Sequence, residues 1–501
     1  MAAPVAPEPG ASRREVLRRA GRLGLGAAAL SLGGTALARR AAAGPVREIE
    51  LETRAVAWEL APGRSIAAMT YNGRIPGPEI RVKEGERIRV LLTNRLADPT
   101  TIHWHGVDVP NAMDGVPGLT QPRVEPGARF VYEFEPRPAG TRWYHTHFEE
   151  HRQLDLGLAA PLVIEPATPD PFPCDREYTL VLDDWATGTA RPVPLTAEGT
   201  AGGRGRMGGM MGRMGGMMRG GGGMMGGMMG SARAPAYDTM TINGKAYPAT
   251  EALQVERGER VRLRLINASA EHTHVLRLAG HRLQVTHTDG NPLVQPVEVD
   301  ALPIAPSERY DVQVMASRPG AWFLDCLQPG HVDAGERTVL VYAGHEGATP
   351  EAAPAGVSGL ELWHYGAGRG RDVLPQASGV ERRFDLLLSG GMIGSDVWTI
   401  NGKRYPRTDP LRVRRGDRVR VRFENHSMEA HPMHLHGQSF RVLAVNGARY
   451  RDPIVKDSVD VEGHMGSLDL EFTAHNPGDW FFHCHKPMHM DGGMISLVQI
   501  G

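Results

Sequence analysis

YNGRIPGPEIRVKEGERIRVLLTN, residues 71–94, decides the fold, because the chain writes the same pattern three times. INGKAYPATEALQVERGERVRLRLIN (242–267) and INGKRYPRTDPLRVRRGDRVRVRFEN (400–425) repeat its Asn-Gly, its proline, two alternating Val/Leu and Arg/Lys segments split by a Gly turn, and a closing Asn. Alternation with period two, punctuated by glycine, predicts β-strands with one buried face. A self-similar unit at this scale is one supersecondary block used repeatedly. The predicted class is therefore all-β, with three β-sandwich domains. At 501 residues the chain exceeds a single core, and two to four domains fit its length. The repeats place domains at 44–167, 168–346 and 347–501.

A second unit closes each copy: GTRWYHTH (140–147), GAWFLDCL (320–327) and GDWFFHCH (478–485). Nine and eleven residues past the closing Asn, the first copy has His103 and His105 and the third has His434 and His436. Five and seven residues past the Gly, they have His145 and His147, and His483 and His485. The middle copy has Leu276, Leu278, Asp325 and Leu327 at these four places. Residues i and i+2 of a strand face the same side, so each His-x-His offers both imidazoles to one space. If the outer domains pack face to face, eight histidines converge.

By the same geometry Cys484 points away from His483 and His485 and can bind a separate metal. A thiolate with two imidazoles and a weak thioether is a blue-copper donor set. His431 and His489 are the remaining imidazoles, with Met494 as axial candidate. The chain holds 21 His and 22 Met but 3 Cys, too few for a disulfide framework. Net charge is −1 without a dense basic run, which excludes nucleic acid as a partner.

The N-terminal SRREVLRRAGRLGLGAAALSLGGTALA (12–38) joins a twin-arginine pair, Arg13 and Arg14, to a modest apolar run and Ala-x-Ala, the pattern of a Tat export signal within residues 1–43. That run is too short and too rich in Gly and Ala for a stable membrane span. The expected location is periplasmic or extracellular, and the expected state is a monomer.

Taken together, HWHG, the HTH pair, HPMHLHG and HCHKPMHMDGGM make the chain resemble the multicopper oxidases, nearest to bacterial three-domain laccase-like enzymes of copper resistance. The resemblance covers nearly all of the chain after the export signal and implies cupredoxin domains and four copper ions. Type 2 copper would use His103 and His434. One type 3 copper would use His105, His145 and His485, its partner His147, His436 and His483. Type 1 would use His431, Cys484 and His489, with Met494 axial. The implied reaction takes electrons singly from a reductant and gives four to dioxygen, forming water.

The resemblance also implies Asp114 as a proton relay, its other reading being a turn Asp before Gly. Relatives carry Glu directly after the last type 1 His. Here that place is Met490, which leaves Asp491 as the substitute. Met428 and Glu429 precede His431 where copper-oxidising relatives have Asp and Met, and are candidates for docking Cu(I).

RMGGMMGRMGGMMRGGGGMMGGMMG (206–230) forms the heart of a Met/Gly-rich insertion at 201–232. Flexible thioethers suit the soft ion Cu(I), although relatives place such insertions elsewhere. Cu(I) oxidation in copper tolerance is the expected role, with phenols and aromatic amines as looser substrates. The alternative is a general phenol-oxidising laccase or ferroxidase with the tract as a copper-binding loop. Cys326 aligns with Cys484, His331 with His489 and Glu336 with Met494, while His272 and His274 flank the place of His431. These read as remnants of duplication or a Cys174–Cys326 disulfide, with a fifth copper as the further alternative. His151 aligns with His489 in the first copy, lacks a cysteine partner and is read as non-ligating. A copper nitrite reductase is excluded by His-Cys-His at 483–485, and a copper store would need only the Met tract.

Overall fold

The repeated units of the sequence are repeated units of hydrogen bonding in the computed structural model. Asn72, Asn243 and Asn401 have φ near +50° and are followed by glycines near +72°, the two left-handed positions of a tight hairpin turn. The closing asparagines Asn94, Asn267 and Asn425 are fully buried. The amides of Asn94 and Asn267 each donate to two backbone carbonyls and that of Asn425 to three, at 2.8–3.0 Å, and each side-chain oxygen accepts a backbone N–H two residues on, at 2.9 Å. One residue thus pins the end of a strand to the loop that leads to the next strand.

The structure describes residues 46–188, 235–354, 356–391 and 395–501. The export signal and the Met/Gly-rich insertion lie outside them. Strands between Arg47 and Glu165 form two sheets of four, those between Arg176 and Tyr342 sheets of six and five, and those between Glu381 and Ile500 sheets of seven and five. Each pair is a sandwich, so three sandwiches follow one another along the chain. Among the described residues the α-helices are the short Glu150–Gln153 and Pro487–Asp491, which pack against each other. No helix among these residues is long and apolar enough to cross a membrane.

Period two holds in the outer copies. Ile88–Asn94 alternates buried and half-buried positions along its length, and Arg418–Asn425 buries Val419, Val421 and Phe423 while exposing Arg418, Arg420 and Arg422 to different degrees. The middle copy departs. Arg260–Asn267 is buried at every position after Arg260, including Arg262 and Arg264. These arginines face carboxylates instead of water: Arg264 pairs with Asp311 at 3.0 Å and Glu177 at 2.7 Å, and Arg262 with Asp170 at 2.8 Å. The middle sandwich is covered on the face that alternation assigned to solvent.

The first and third sandwiches meet directly. Asn111 donates to Asp479 O at 2.8 Å, Asn476 to Val109 O at 3.0 Å, and His475 Nε2 lies 2.8 Å from Asp108 Oδ2. Burial disfavours the His475 imidazolium, but the hydrogen bond and charge of Asp108 outweigh it and raise the pKa. Stabilisation from this pair is therefore complete below the unfolded value, about 6.5, and is lost as pH rises through the higher folded value. For a partly exposed pair it amounts to about 1 kcal/mol or less. His475→Gln is expected to remove that decline, visible as a flatter profile of melting temperature against pH above 6.5.

Candidate metal centre

Strand His103–His105 pairs with Gly140–His145, placing His103 opposite His145, and strand His431–Leu435 pairs with Gly478–Cys484, placing His434 opposite His483. The two ladders face each other across the junction of the outer sandwiches. His103 Nε2 comes within 3.4 Å of His434 Nε2, their residues 331 apart in sequence. His436 Nε2 is 3.0 Å from His483 Nε2, and the ring of His147 is 5.0 Å from that of His436 and 5.4 Å from that of His483. His145 Nε2 is 3.4 Å from His105 Nδ1, with the His485 ring 5.1 and 5.0 Å from theirs. All eight imidazoles that the sequence pairs up are buried in one nest.

What surrounds the nest determines which nitrogen faces inward. A carbonyl oxygen can only accept, so a ring nitrogen bonded to one must carry the proton. His103 donates through Nδ1 to Asp114 O at 2.9 Å, His145 to Thr146 O at 2.7 Å, His434 to Asp457 O at 2.8 Å and His483 to Cys484 O at 2.9 Å. His436 Nδ1 donates to the Asp114 carboxylate at 2.9 Å. Each of these rings presents an unprotonated Nε2 to the centre, as ligating histidines do. His105 is reversed: its Nε2 reaches Asp457 Oδ1 and Ser458 Oγ, both at 3.1 Å, leaving Nδ1 for the nest. Burial first, then the neighbouring cationic forms, pushes the pKa values of His105, His145, His147, His434, His436 and His485 well down, and burial takes His483 to about 4. Burial thus drives these seven rings toward the neutral form, which carries a lone pair for a metal. His147 Nε2 and both nitrogens of His485 are buried without a hydrogen-bond partner. Buried ring nitrogens left without a hydrogen-bond partner among other imidazoles fit a metal site.

Cys484 faces the other way. Its Sγ lies 3.6 Å from His431 Nδ1 and 3.5 Å from His489 Nδ1, and those two nitrogens are 3.0 Å apart. Ser427 Oγ holds the outer nitrogen of His431 at 2.8 Å, while Glu429 Oε2 lies 3.1 Å from that of His489. Trp398 packs on both rings, 3.8 Å from His489 and 5.2 Å from His431. Met494 is fully buried, and its carbonyl accepts from the Cys484 N–H at 3.1 Å. Burial pushes the Cys484 thiol up, so only a bound cation would make its thiolate the resting form.

The remaining sequence candidates separate. Asp114 is fully buried against His103 and His436, whose rings stack at 3.9 Å. Met428 is 52% exposed beside Glu429. Asp491 binds His151 across the two short helices, at the rim of a cleft lined by Val116, His147, Phe481 and Met490. His151 is therefore engaged outside the nest. Cys174 and Cys326 are both free, so the disulfide reading is wrong: Cys326 ends strand Ala321–Cys326 and lies against His331, while Cys174 is near Arg262 on the other sheet.

Two kinds of residue were missed. Glu150, fully buried, lies 3.3 Å from His147 Nδ1. Burial and then the charge of Asp491 raise its pKa well above the carboxylate range. The second is a buried ionic junction. Asp457 receives Arg309 through two contacts of 2.6 Å and Arg142 at 3.2 Å, and Lys456 pairs with Asp289 at 3.0 Å and Glu308 at 3.1 Å. These residues come from all three sandwiches and stand directly behind His105. Gly106, at φ +77°, is required there: a Cβ would lie 2.6 Å from both Arg309 and Asp457.

Multicopper oxidase family profiles match residues 52–169, 177–345 and 383–501. The chain is 35% identical over 440 residues to multicopper oxidase MmcO of Mycobacterium tuberculosis, covering 87% of this chain and 84% of that protein. It is 26% identical to a copper resistance protein A homolog of Pseudomonas syringae pv. tomato, covering 87% and 90%. In three dimensions it is similar to a multicopper oxidase from Pseudomonas thermotolerans, with a TM-score of 0.69 at 26% identity over 91% of this chain and 100% of that one. Three cupredoxin-like sandwiches, a nest of buried imidazoles and an adjoining Cys–His–His set thus agree with these likenesses: the chain belongs to the multicopper oxidase family, copper-dependent oxidoreductases with dioxygen as acceptor.

Proposed function

We propose that this protein oxidises Cu(I) in copper tolerance, with phenols and aromatic amines as looser substrates, and reduces dioxygen to water. The observation that carries the reading is the alternation at 483–485: His483 and His485 enter the histidine nest while Cys484, between them, enters the second set. His103 and His434 would hold type 2 copper. His105, His145 and His485 would hold one type 3 copper, and His147, His436 and His483 the other. His431, Cys484, His489 and Met494 would hold type 1. Copper bound there supplies single-electron oxidation at the cysteine set and four-electron reduction of dioxygen at the nest.

This chain's own residues do the rest. Cys484 is joined by one peptide unit to each of two nest histidines, which gives electrons a covalent path. Asp114 Oδ2, 2.9 Å from His436 Nδ1, is placed to pass protons on one side. On the other side Glu150, whose burial favours the protonated form, takes the part that Met490 cannot play, with Asp491 and His151 at the rim. We assign domains to 44–167, 168–346 and 347–501 and export to the twin-arginine segment.

Cuprous specificity lies at the outer surface of the type 1 set. Met428 offers an exposed thioether, and Glu429 touches His489. Thr187 and Asp238, on either side of the methionine-rich insertion, are tied at 2.7 Å, and Tyr237 packs edge-on against His272 at 5.6 Å. The neighbouring Glu271 pairs with Lys486 at 2.5 Å, and Lys486 lies 3.8 Å from Glu429. The base of the insertion is thus linked by side-chain contacts to the edge of the type 1 set. Deleting 206–230 is expected to depress Cu(I) oxidation more than phenol oxidation, measured on one preparation under air. Equal loss of both removes the tract from the mechanism and favours a general laccase.

A further inference from the structure

We infer that the middle sandwich holds a metal ion of its own, a divalent copper or zinc bound by His274, Cys326, His331 and Glu336. The four donor atoms lie within 4.8 Å of one another and all four residues are buried. Their scaffold repeats several contacts of the Cys484 set. Cys326 ends its strand as Cys484 does, and Sγ is 3.3 Å from His331 Nδ1, against 3.5 Å for Cys484 and His489. The Cys326 N–H donates to Glu336 O at 3.4 Å, as that of Cys484 does to Met494 O at 3.1 Å. The Glu336 N–H donates to His331 O at 2.9 Å, as that of Met494 does to His489 O at 3.0 Å. Ser269 Oγ holds His274 Nε2 at 2.7 Å, as Ser427 holds His431 at 2.8 Å. His274, not His272, takes the place of His431, since His272 is bound to Asp184 at 2.8 Å.

Decay after duplication would leave no reason for what is buried here. Glu336 is wholly enclosed, and Arg337 beside it is turned to Asp325, at 2.5 Å. Among the described residues no arginine or lysine pairs with Glu336. Glu336 Oε1 and His274 Nδ1 approach to 2.6 Å, yet neither makes a hydrogen bond of acceptable geometry. Glu336 Oε2 is 2.8 Å from His331 Nδ1. Both carboxylate oxygens and the inner nitrogens of both rings thus crowd into one place, with the Cys326 sulfur beside them, which a cation at that point explains. With both rings neutral, the buried carboxylate has no countercharge unless an ion is bound, and an unpaired buried charge costs several kcal/mol.

The donors also select the ion. Two imidazoles, a thiolate and a carboxylate suit tetrahedral zinc and bind copper(II) tightly. Exchanging the thioether of Met494 for the harder carboxylate favours a divalent ion over Cu(I). A surface pocket lined by His272, Gln328, Gly330 and His331 gives access.

The test is metal content. Wild-type holoenzyme and the Cys326→Ser and Glu336→Gln variants are purified, dialysed against copper(II) or zinc(II) and stripped of loose ions on a desalting column. Copper and zinc per chain are then counted by mass spectrometry, with oxidase turnover as a control. Wild type is expected to carry one equivalent more than either variant, while turnover is little changed; the dialysis arm in which the extra equivalent appears identifies the ion. Should Cys326→Ser not fold, Glu336→Gln carries the comparison. Wild type holding no more metal than the oxidase centres account for, or an extra equivalent that survives both substitutions, overturns the assignment.

Discussion

Replacing Asp457 by alanine is expected to cost about 3–5 kcal/mol, the loss typical of a buried ion pair broken on one side. That is a large share of a total stability of about 5–15 kcal/mol. The side chain is fully enclosed, and the guanidiniums of Arg142 and Arg309 would be left facing each other without their shared carboxylate. Asp457 also holds His105 Nε2 at 3.1 Å, so its loss frees the ring that the nest needs fixed. Losing such an outer partner lowers metal affinity by about 10–100-fold. Two measurements check this: denaturant unfolding of the apoprotein for the stability term, and copper retention against a chelator for the second. Unchanged unfolding in Asp457→Ala would falsify the view that this junction clamps the three sandwiches together.

Cys484→Ser is expected to abolish oxidase turnover, leaving only the buffer background with both Cu(I) and phenols. Serine has almost the same volume and occupies a fully buried strand position, so folding should survive. What disappears is the sulfur that lies between His431 and His489 and the covalent path into the nest. The variant should lose its visible blue colour and one bound copper while keeping the metal held by the eight histidines. Retained turnover in a colourless variant would mean that electrons reach the nest by some other way, and the proposed path would fall.

Asp114 and Glu150 show how differently two buried carboxylates can be read. Asp114 lies inside HWHGVDVPNAMDG, close behind a recognisable motif, so resemblance reaches it. Glu150 lies in HFEEH, where nothing separates it from Glu149; only the left-handed backbone of Glu149, φ +47°, turns the next side chain inward toward His147. Arg262 and Arg264 were equally opaque. Alternation places them on a solvated face, and only the packing around the middle sandwich shows them matched to carboxylates far along the chain.

By itself the sequence determined the strands, the threefold repeat and the pairing of imidazoles as His-x-His, because period two, Asn-Gly turns and His-x-His spacing are local geometry fixed by the backbone. It also placed Cys484 opposite its neighbours, for the same reason. Only the tertiary structure decided that His103 meets His434, that Asp457 joins Arg142 to Arg309, and that Glu336 lies wholly buried beside His274 and His331. Such contacts depend on which faces exclude water when sandwiches dock. The free energy of that burial belongs to pairs of surfaces, which no single stretch of chain contains.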